Sequence, residues 1–223
     1  MLIAIIPAKD EENNIGEVVR KTKKYADFVL VIDDASSDNT KSVAEDNGAF
    51  VIRNSVNLGK ADALKIGFKY AQDNNFETIA LLDGDGQHDP DELPKFIKKM
   101  NEGFDLVIGA RNFSIKVMPF LRVFANSVSS LIVSMICGTR ILDSQSGYRL
   151  LKTEIVKKIN FTSKKFELDT EMLIKVARCG FKIGFVNIKT IYTPGAKSKI
   201  NQIVDPLKFL RVAFKLMFYR CKE

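Results

Sequence analysis

Three short acidic clusters are the residues of this sequence best suited to chemistry. They occupy residues 9–12, 33–38 and 83–89, and each follows a run of apolar residues. Only one residue separates Asp83 from Asp85, so an extended backbone would point both carboxylates to the same side. Paired carboxylates repel each other unless a cation or a proton lies between them. Oxygen ligands of this kind suit Mg²⁺ or Mn²⁺, which commonly bridge protein carboxylates to a substrate's phosphates.

The residues around this pair argue against several other acidic or phosphate-binding sites. An EF-hand loop that began at Asp83 would need Gly at its sixth position and Glu at its twelfth, where this chain has His88 and Lys95. Phosphatases of the haloacid dehalogenase type also follow a strand with Asp-x-Asp-Gly, but they usually continue with Thr or Val rather than Gln87. The sequence contains neither the P-loop motif nor the glycine pattern of dinucleotide-binding folds. Gln87 and His88 are therefore candidates for further ligands of an ion or its phosphates.

Apolar runs and helical patterns alternate along the first half of the chain and must position these clusters. Continuous apolar runs, typical of strands buried on both faces, occupy residues 2–6, 28–32, 78–82 and 104–108. The helical patterns between them cover residues 14–26, 37–47, 60–74 and 90–102, with Ser37 or Asp38 as an N-cap and Pro90 at a helix start. This alternation predicts an α/β fold with a mostly parallel central sheet flanked by helices. Ligands bind beyond the carboxyl ends of such strands, so we expect the acidic clusters to meet there.

The second half of the chain alternates less regularly. Its sequence predicts helices over residues 118–137 and 166–179, a last strand over 182–188, and a helix over 200–219. We find no internal repeat, low-complexity tract or linker. The expected organisation is one main domain over residues 1–199 and a basic, amphipathic helical extension over 200–223.

Composition bounds the protein class. The chain has 223 residues, of which 46% are hydrophobic, and this is enough for one sizeable core. Its formal charge of +7 suits an anionic partner. Cys137, Cys179 and Cys221 are odd in number and widely spaced, so we expect no disulfide framework or zinc site and a reducing compartment. The apolar N-terminus lacks a basic leader and is interpreted as a first strand, and residues 131–137 are too few to span a bilayer.

Most of the excess positive charge lies in the C-terminal segment. From residue 195 onward there are seven basic residues and two acidic ones, a balance of +5, with apolar residues at helical spacing between them. An apolar and basic helix of this kind lies flat on an anionic membrane. The alternative is a helix that packs on its own domain or on a partner chain. We expect peripheral membrane association, or pairing with a separate membrane subunit, and no binding of nucleic acid, because the acidic clusters would repel phosphodiesters.

Several motifs in order resemble those of the family 2 glycosyltransferases with the GT-A fold. The first four are Pro7-x-x-x-Glu11, Asp33-Asp34-x-Ser36-x-Asp38, Asn57-x-Gly59-Lys60 and Asp83-x-Asp85-x-Gln87. The later ones, which resemble the subgroup that makes polyprenyl- or dolichyl-phosphate sugars, are Gly109-Ala110-Arg111, Arg122 with Asn126, and residues 143–149. The resemblance covers residues 3–200. The chain departs from it at Asp62, where relatives often have Gly.

The resemblance implies a donor pocket in the first part of the chain. Pro7, Ala8 and Glu11 would line the pocket for the base and ribose of a UDP- or GDP-sugar. Asp34 would contact the base, and the choice between the two nucleotides stays open. Lys60, within its matching motif, would also contact the substrate.

The resemblance also implies how the donor's diphosphate is held. Asp83, Asp85 and Gln87 would hold Mg²⁺ or Mn²⁺ on it, with Asp85 counted among the catalytic residues. Lys197 and Lys199 lie in a segment that looks like the subgroup's Ser-Lys segment, and they would close over the diphosphate. Metal and cationic side chains would stabilise the charge that develops on the leaving group.

On the acceptor side, the resemblance implies an inverting, direct displacement at the cytoplasmic face of a membrane. Arg111 and Arg122 would meet phosphate groups, Arg122 that of the acceptor lipid, and Ser146 would contact substrate. A polyprenyl (dolichyl) phosphate is already an anion and needs no strong base. A sugar hydroxyl acceptor, which is the close alternative, would need one, and Asp169 or Glu171 occupies the region of that base. A metal-dependent phosphatase and a basic binding protein without activity are the remaining alternatives.

Overall fold

This computed structural model describes residues 1–111, 120–164, 167–189, 191 and 212–221, although the side chains of 120–125 are outside that description. Its strands are β1 (Leu2–Ala8), β2 (Phe28–Asp33), β3 (Phe50–Arg53), β4 (Thr78–Leu81), β5 (Leu106–Arg111), β6 (Arg149–Lys152) and β7 (Ile183–Ile188). Its helices are α1 (Ile15–Thr22), α2 (Thr40–Asp46), α3 (Lys60–Asp73), α4 (Leu93–Asn101), α5 (Phe120–Cys137), α6 (Thr153–Lys158) and α7 (Glu167–Arg178), with a 3₁₀ turn at Pro90–Glu92 before α4.

The seven strands form one sheet in the order β3-β2-β1-β4-β6-β5-β7. Strand β6 pairs antiparallel with β4 on one side and with β5 on the other, whereas the remaining described pairs are parallel. The carboxyl ends of β1, β2, β4 and β5 therefore share one edge. The start of β6 lies at that same edge, because Arg149 is paired with Leu81 and Ile108. The expected α/β architecture with a mostly parallel central sheet is confirmed.

Helices cover both faces of the sheet and divide the core into two layers. One buried cluster joins the sheet to α3, α5, α6 and α7, and it includes Ala213 and Leu216 from the C-terminal residues. The other joins the sheet to α1, α2 and α4. This burial on both sides explains why the parallel strands are apolar at nearly every position.

Most expected elements exist, and the differences have local causes. Strand β5 begins at Leu106 rather than at residue 104, because the Asp105 carboxylate accepts from Lys182 N and Lys152 Nζ beside the end of the strand. The N-cap of α2 is Asn39, so the expectation of Ser37 or Asp38 is wrong, although the Asp38 carboxylate still accepts from the Thr40 backbone amide. Three elements, β3, β6 and α6, were not predicted from the sequence because they are only four to six residues long.

The C-terminal residues contradict one expectation. Cys179, which follows α7, forms a disulfide with Cys221, so the prediction that the cysteines form no disulfide is wrong for this pair. Cys137 is free, and burial raises the pKa of its thiol to about 12. Residues 212–216 are helical, whereas most of the expected helix over 200–219 lies outside the described residues. Among the described helices, none is long and apolar enough to cross a bilayer.

Close packing of α3 on β1 depends on Gly67. A Cβ atom added there would lie 2.5 Å from Cγ2 of the buried Ile5. We expect Gly67→Ala to lower the free energy of unfolding by about 1–3 kcal/mol, because a branched core side chain cannot move aside. Urea unfolding followed by circular dichroism measures the change.

Gly16 in α1 is the matched control for this substitution. Its added Cβ would first meet the amide end of Asn47 at 2.8 Å, and the end of a flexible side chain can rotate away. Gly16→Ala should therefore cost clearly less stability than Gly67→Ala. Equal stability of the two variants would refute this account of the α3–β1 contact.

Candidate active site

The loops after β1 and β2 are tied together at the carboxyl edge of the sheet. The Asp10 carboxylate accepts from Ser37 N at 2.7 Å, and Glu11 N donates to Thr40 Oγ1 at 2.8 Å. Farther along, Glu12 N donates to the Asp38 carboxylate at 3.1 Å. The first two acidic clusters thus form one wall, in which many carboxylate oxygens are engaged in holding backbone. The Pro7, Ala8 and Glu11 positions predicted for the nucleoside pocket lie at the end of β1 and on this wall.

Asp34 anchors the loop that leads into α3. Its buried carboxylate accepts from the Leu58 and Gly59 amides at 2.8 and 2.7 Å, and from the Asn54 side chain at 2.9 Å. These bonds use three of roughly four acceptor positions on a carboxylate. Gly59 takes a φ of 91°, and α3 begins at the next residue, Lys60. Asp34 therefore shapes the approach to Lys60, and its predicted contact with a base stays a prediction.

Asp83 lies at the centre of the edge and is surrounded by cationic and aromatic groups. The Lys60 ammonium contacts Asp83 Oδ1, and the Asp83 backbone amide donates to His88 Nδ1 at 3.0 Å. Burial alone would raise the pKa of Asp83, but Lys60, with His88 and Arg111, brings the pKa down to about 2. Burial likewise opposes the charge on Lys60, yet Asp83 and then Asp169 raise the pKa of Lys60 above its ordinary value. Both groups are therefore charged.

The turn that carries Asp85 and Gln87 packs against the end of β1. A Cβ atom added at Gly84 would lie 3.1 Å from Ala8 Cβ, so only glycine allows this approach without displacement. The Asp85 carboxylate accepts from the backbone amide of Gln87 at 3.0 Å, and Gly86 between the two residues has a φ of 75°. Asp83 and Asp85 thus follow directly on β4, as the sequence predicts. The described residues contain no group of three or more His, Cys, Asp or Glu side chains able to hold a metal ion.

Residues 143–147 bring a second set of groups to the same edge. The fully buried Asp143 carboxylate accepts from Arg111 Nε at 2.7 Å and from Arg111 Nη2 at 3.0 Å, a bidentate pair that fixes the direction of the guanidinium. A Cβ added at Gly147 would lie 2.9 Å from Lys60 Nζ and 3.4 Å from Asp83 Oδ2. The hydroxyl of Ser146 is buried and has no hydrogen-bond partner in the described structure.

Two acidic residues of α7 have different surroundings. Asp169 retains some exposure and pairs with the buried Arg149, whose Nη2 lies 3.4 Å from Asp169 Oδ1. Glu171 is buried, accepts from the backbone amides of Thr162 and Ser163, and pairs with Lys175 Nζ at 2.6 Å. Those contacts occupy Glu171 within the core, so it is a poor candidate for a base. Asp169 is the acidic residue of α7 that interacts electrostatically with Lys60.

Not every predicted site residue lies within the described part of the chain. Arg122 belongs to α5, but its side chain is outside the description, as are Lys197 and Lys199 entirely. Asp143 and Arg149 are functional residues that the sequence did not predict, although both lie in the motif over residues 143–149. Their roles come from pairing with residues 20 to 32 positions away, which no local pattern indicates.

Comparison with known proteins is consistent with this geometry. The sequence model of glycosyl transferase family 2 matches residues 3–179. This range is most of the chain and includes every described residue of the site. The chain belongs to glycosyl transferase family 2. Among solved structures, this transferase is similar to glucosyl-3-phosphoglycerate synthase from Mycobacterium tuberculosis, in a complex with Mn²⁺, UDP and phosphoglyceric acid. That similarity has a TM-score of 0.75 at 18% identity and covers 98% of this chain and 78% of the other, so it shows the shared GT-A fold.

Two curated relatives of this family 2 transferase have names that include lipid phosphates. The chain is 29% identical to UDP-N-acetylglucosamine–dolichyl-phosphate N-acetylglucosaminyltransferase of Methanococcus voltae, over 99% of this chain and 94% of the relative. It is 28% identical to undecaprenyl-phosphate mannosyltransferase of Micrococcus luteus, over 90% of this chain and 87% of the relative. The predicted family and enzyme class are therefore confirmed.

The Glu171 contacts predict a pH-dependent contribution to stability. Burial alone would raise the pKa of Glu171, but Lys175 and the Thr162 and Ser163 amides hold it below its ordinary value. The folded state thus favours the ionised form, and the stabilisation is complete above the unfolded-state pKa of about 4.3 and is lost as the pH falls through the lower folded-state value. We expect Glu171→Gln to cost about 3 kcal/mol at pH 7 and progressively less below about pH 4.

Urea unfolding of wild type and variant between pH 3 and pH 8 measures this difference. Glu17→Gln is the control, because Glu17 forms a pair of the same spacing with Lys21 on the exposed side of α1. That substitution should change stability little at any pH, since exposed pairs contribute little. A Glu171→Gln cost that stayed constant down to pH 3 would contradict the ionised state assigned here.

Proposed function

We propose that this protein transfers a sugar from a nucleotide-diphosphate sugar to a polyprenyl phosphate, by inverting, metal-dependent displacement. The observation that carries the proposal is the ionised Asp83 at the carboxyl edge, two positions from Asp85, in contact with Lys60 and under the electrostatic influence of Arg111. Such an arrangement suits a diphosphate and its cation better than it suits a neutral ligand. The lipid-phosphate acceptors in the names of the two curated relatives support the choice of acceptor.

The residues present fit a divalent ion. Asp83 and Asp85, with Gln87 beside them, would hold Mg²⁺ or Mn²⁺, and two or three protein oxygens leave places for phosphate oxygens and water. The ammonium of Lys60 on Asp83 Oδ1 indicates that this carboxylate is placed to pair with a cation. When bound, the ion would neutralise charge on the departing diphosphate. Lys60 remains beside it as a second cation directed at the same group.

The acceptor phosphate would need to be oriented by the protein more than it would need a general base. A phosphate monoester is already nucleophilic at neutral pH, so its oxygen can attack the anomeric carbon without losing a proton. Arg111, held rigidly by Asp143, is placed to orient such an anion at the edge of the site. Asp169, which pairs with Arg149, would lie close to the acceptor.

A membrane surface is the expected place for a lipid acceptor. On α5, Leu131 and Met135 are 61% and 68% exposed, and on the C-terminal residues Phe214 and Phe218 are 67% and 84% exposed. A cavity of about 420 Å³ lies between these two segments. Neither residues 120–142 nor residues 212–221 contain an acidic residue. These features support peripheral association with an anionic bilayer, with residues 200–223 as its helical extension.

Nucleotide binding tests the donor half of the proposal. We expect calorimetry with UDP and GDP, each with and without Mn²⁺, to show metal-dependent binding of one nucleotide. Asp85→Ala should weaken that binding about 100-fold or more, because an oxygen ligand of the ion is lost. Asp73→Ala, at an exposed acid at the end of α3, is the control and should bind as wild type does. Nucleotide affinity that depends on neither Mn²⁺ nor Asp85 would overturn the assigned site.

An acceptor panel tests the other half. The enzyme and its preferred nucleotide sugar are incubated with a polyprenyl monophosphate, the matching polyprenol and an alkyl glycoside, and products are identified by mass spectrometry. Sugar should appear on the monophosphate only. Sugar on the glycoside would instead establish a hydroxyl acceptor and would require a base such as Asp169. Release of inorganic phosphate from the monophosphate without sugar transfer would make the protein a phosphatase and overturn the proposal.

A further inference from the structure

Arg149 is a completely buried arginine at the start of β6. Its Nε donates to Ser146 O at 2.8 Å, its Nη1 to Asp169 O at 2.9 Å, and its Nη2 to Ser144 O at 3.5 Å. The same Nη2 lies 3.4 Å from Asp169 Oδ1. One planar side chain therefore contacts two separate parts of the chain, residues 144–146 and the first turn of α7.

Both parts lie against the acidic centre of the site. The first belongs to the loop whose Asp143 fixes Arg111 and whose Gly147 lies against Lys60 and Asp83. The second carries Asp169, which pairs with Arg149 and interacts electrostatically with Lys60. Of the groups expected to touch substrate, the Arg149 side chain contacts Ser146, at its carbonyl oxygen, and Asp169. The guanidinium holds residues 144–146 and the first turn of α7 at fixed positions relative to each other.

The energetics favour a positioning role over a purely stabilising one. Burial lowers the pKa of Arg149, opposed by Asp169 and Asp143, so the protein retains the charge against a desolvation penalty. Apolar residues of similar volume are often as stable in such places. A guanidinium, however, presents donors in fixed directions within one plane. That geometry sets the relative orientation of three carbonyl groups, which neither an apolar residue nor a lysine can do.

We propose that Arg149 is a positioning residue that aligns the acceptor side of the site, meaning residues 143–147 and Asp169, with Lys60 and Asp83. This inference rests on the proposed transferase function. Removal of Arg149 should misplace the acceptor phosphate by loosening Arg111 and Asp169 together. No described side-chain hydrogen bond joins Arg149 to the donor pocket on β1, β2 and β4, so donor binding should persist.

The test compares Arg149→Met, Arg149→Lys and Lys175→Met. Lys175 is the matched control because its pair with Glu171 is also buried in α7 but faces the core. Folded fraction, nucleotide affinity and the kcat and KM for a polyprenyl monophosphate are measured for each. We expect Arg149→Met to lower kcat about 100-fold per folded enzyme, the cost of a displacement near 1 Å, while nucleotide affinity changes by less than about threefold. Arg149→Lys should fall between Arg149→Met and wild type.

Lys175→Met should instead lower stability and leave kcat per folded enzyme near that of wild type. A kcat loss in Arg149→Met no larger than in Lys175→Met would overturn the inference. Equal activity of Arg149→Lys and wild type would also overturn it, and this arm serves if Arg149→Met does not fold.

Amide hydrogen exchange provides a readout that does not need turnover. Exchange over residues 143–147 should rise at least about tenfold in Arg149→Met, because the loop loses two of its anchors. It should stay unchanged in Lys175→Met. If wild type transferred no sugar, the proposed function would fail while this exchange difference would still decide the positioning role. Unchanged exchange in Arg149→Met would refute that role in an active enzyme as well.

Discussion

The ion pair between Lys60 and Asp83 is the interaction on which the rest of the site depends. It places a cation and an anion together at the edge where four parallel strands end, and each keeps the other charged in partly buried surroundings. The fold brings the pair together from two directions. Asp34 holds the Gly59 amide so that α3 begins at Lys60, while β4 delivers Asp83. A small shift of either element would leave a charged group without its partner.

Further pairs of a cation and a carboxylate surround Lys60 and Asp83. Arg111 meets Asp143, and Arg149 meets Asp169, so these two cations also have a carboxylate at close range. The consequence is a site whose electrostatic field is set before any ligand arrives, which is the condition for stabilising a transition state without reorganisation. The antiparallel strand β6 makes this possible. By running against its neighbours, it begins at the carboxyl edge of the sheet and so places Arg149 there.

How much of the fold and of the site could be predicted depended on how far apart in the sequence the interacting residues lie. The long apolar runs and the acidic clusters are local signals, so the α/β fold and the positions of Asp83 and Asp85 follow from them. Strand β6 gives no such signal, because it is short and begins with a charged residue. That residue, Arg149, is buried, and its partner Asp169 lies twenty positions away in the sequence. Pairing of Cys179 with Cys221 was mispredicted for a similar reason, since wide spacing in sequence says nothing about distance in the fold.

The Cys179–Cys221 bond has a topological consequence. It closes residues 179–221 into a covalent ring that begins at the end of α7 and includes Lys197 and Lys199. A break in the backbone anywhere inside the ring would leave the C-terminal piece attached to the domain. The exposed aromatic residues near the C-terminus would then stay with the catalytic domain even after cleavage. Among the described residues, this disulfide is the covalent cross-link between the C-terminal residues and the domain, whereas their other contacts with the domain are non-covalent.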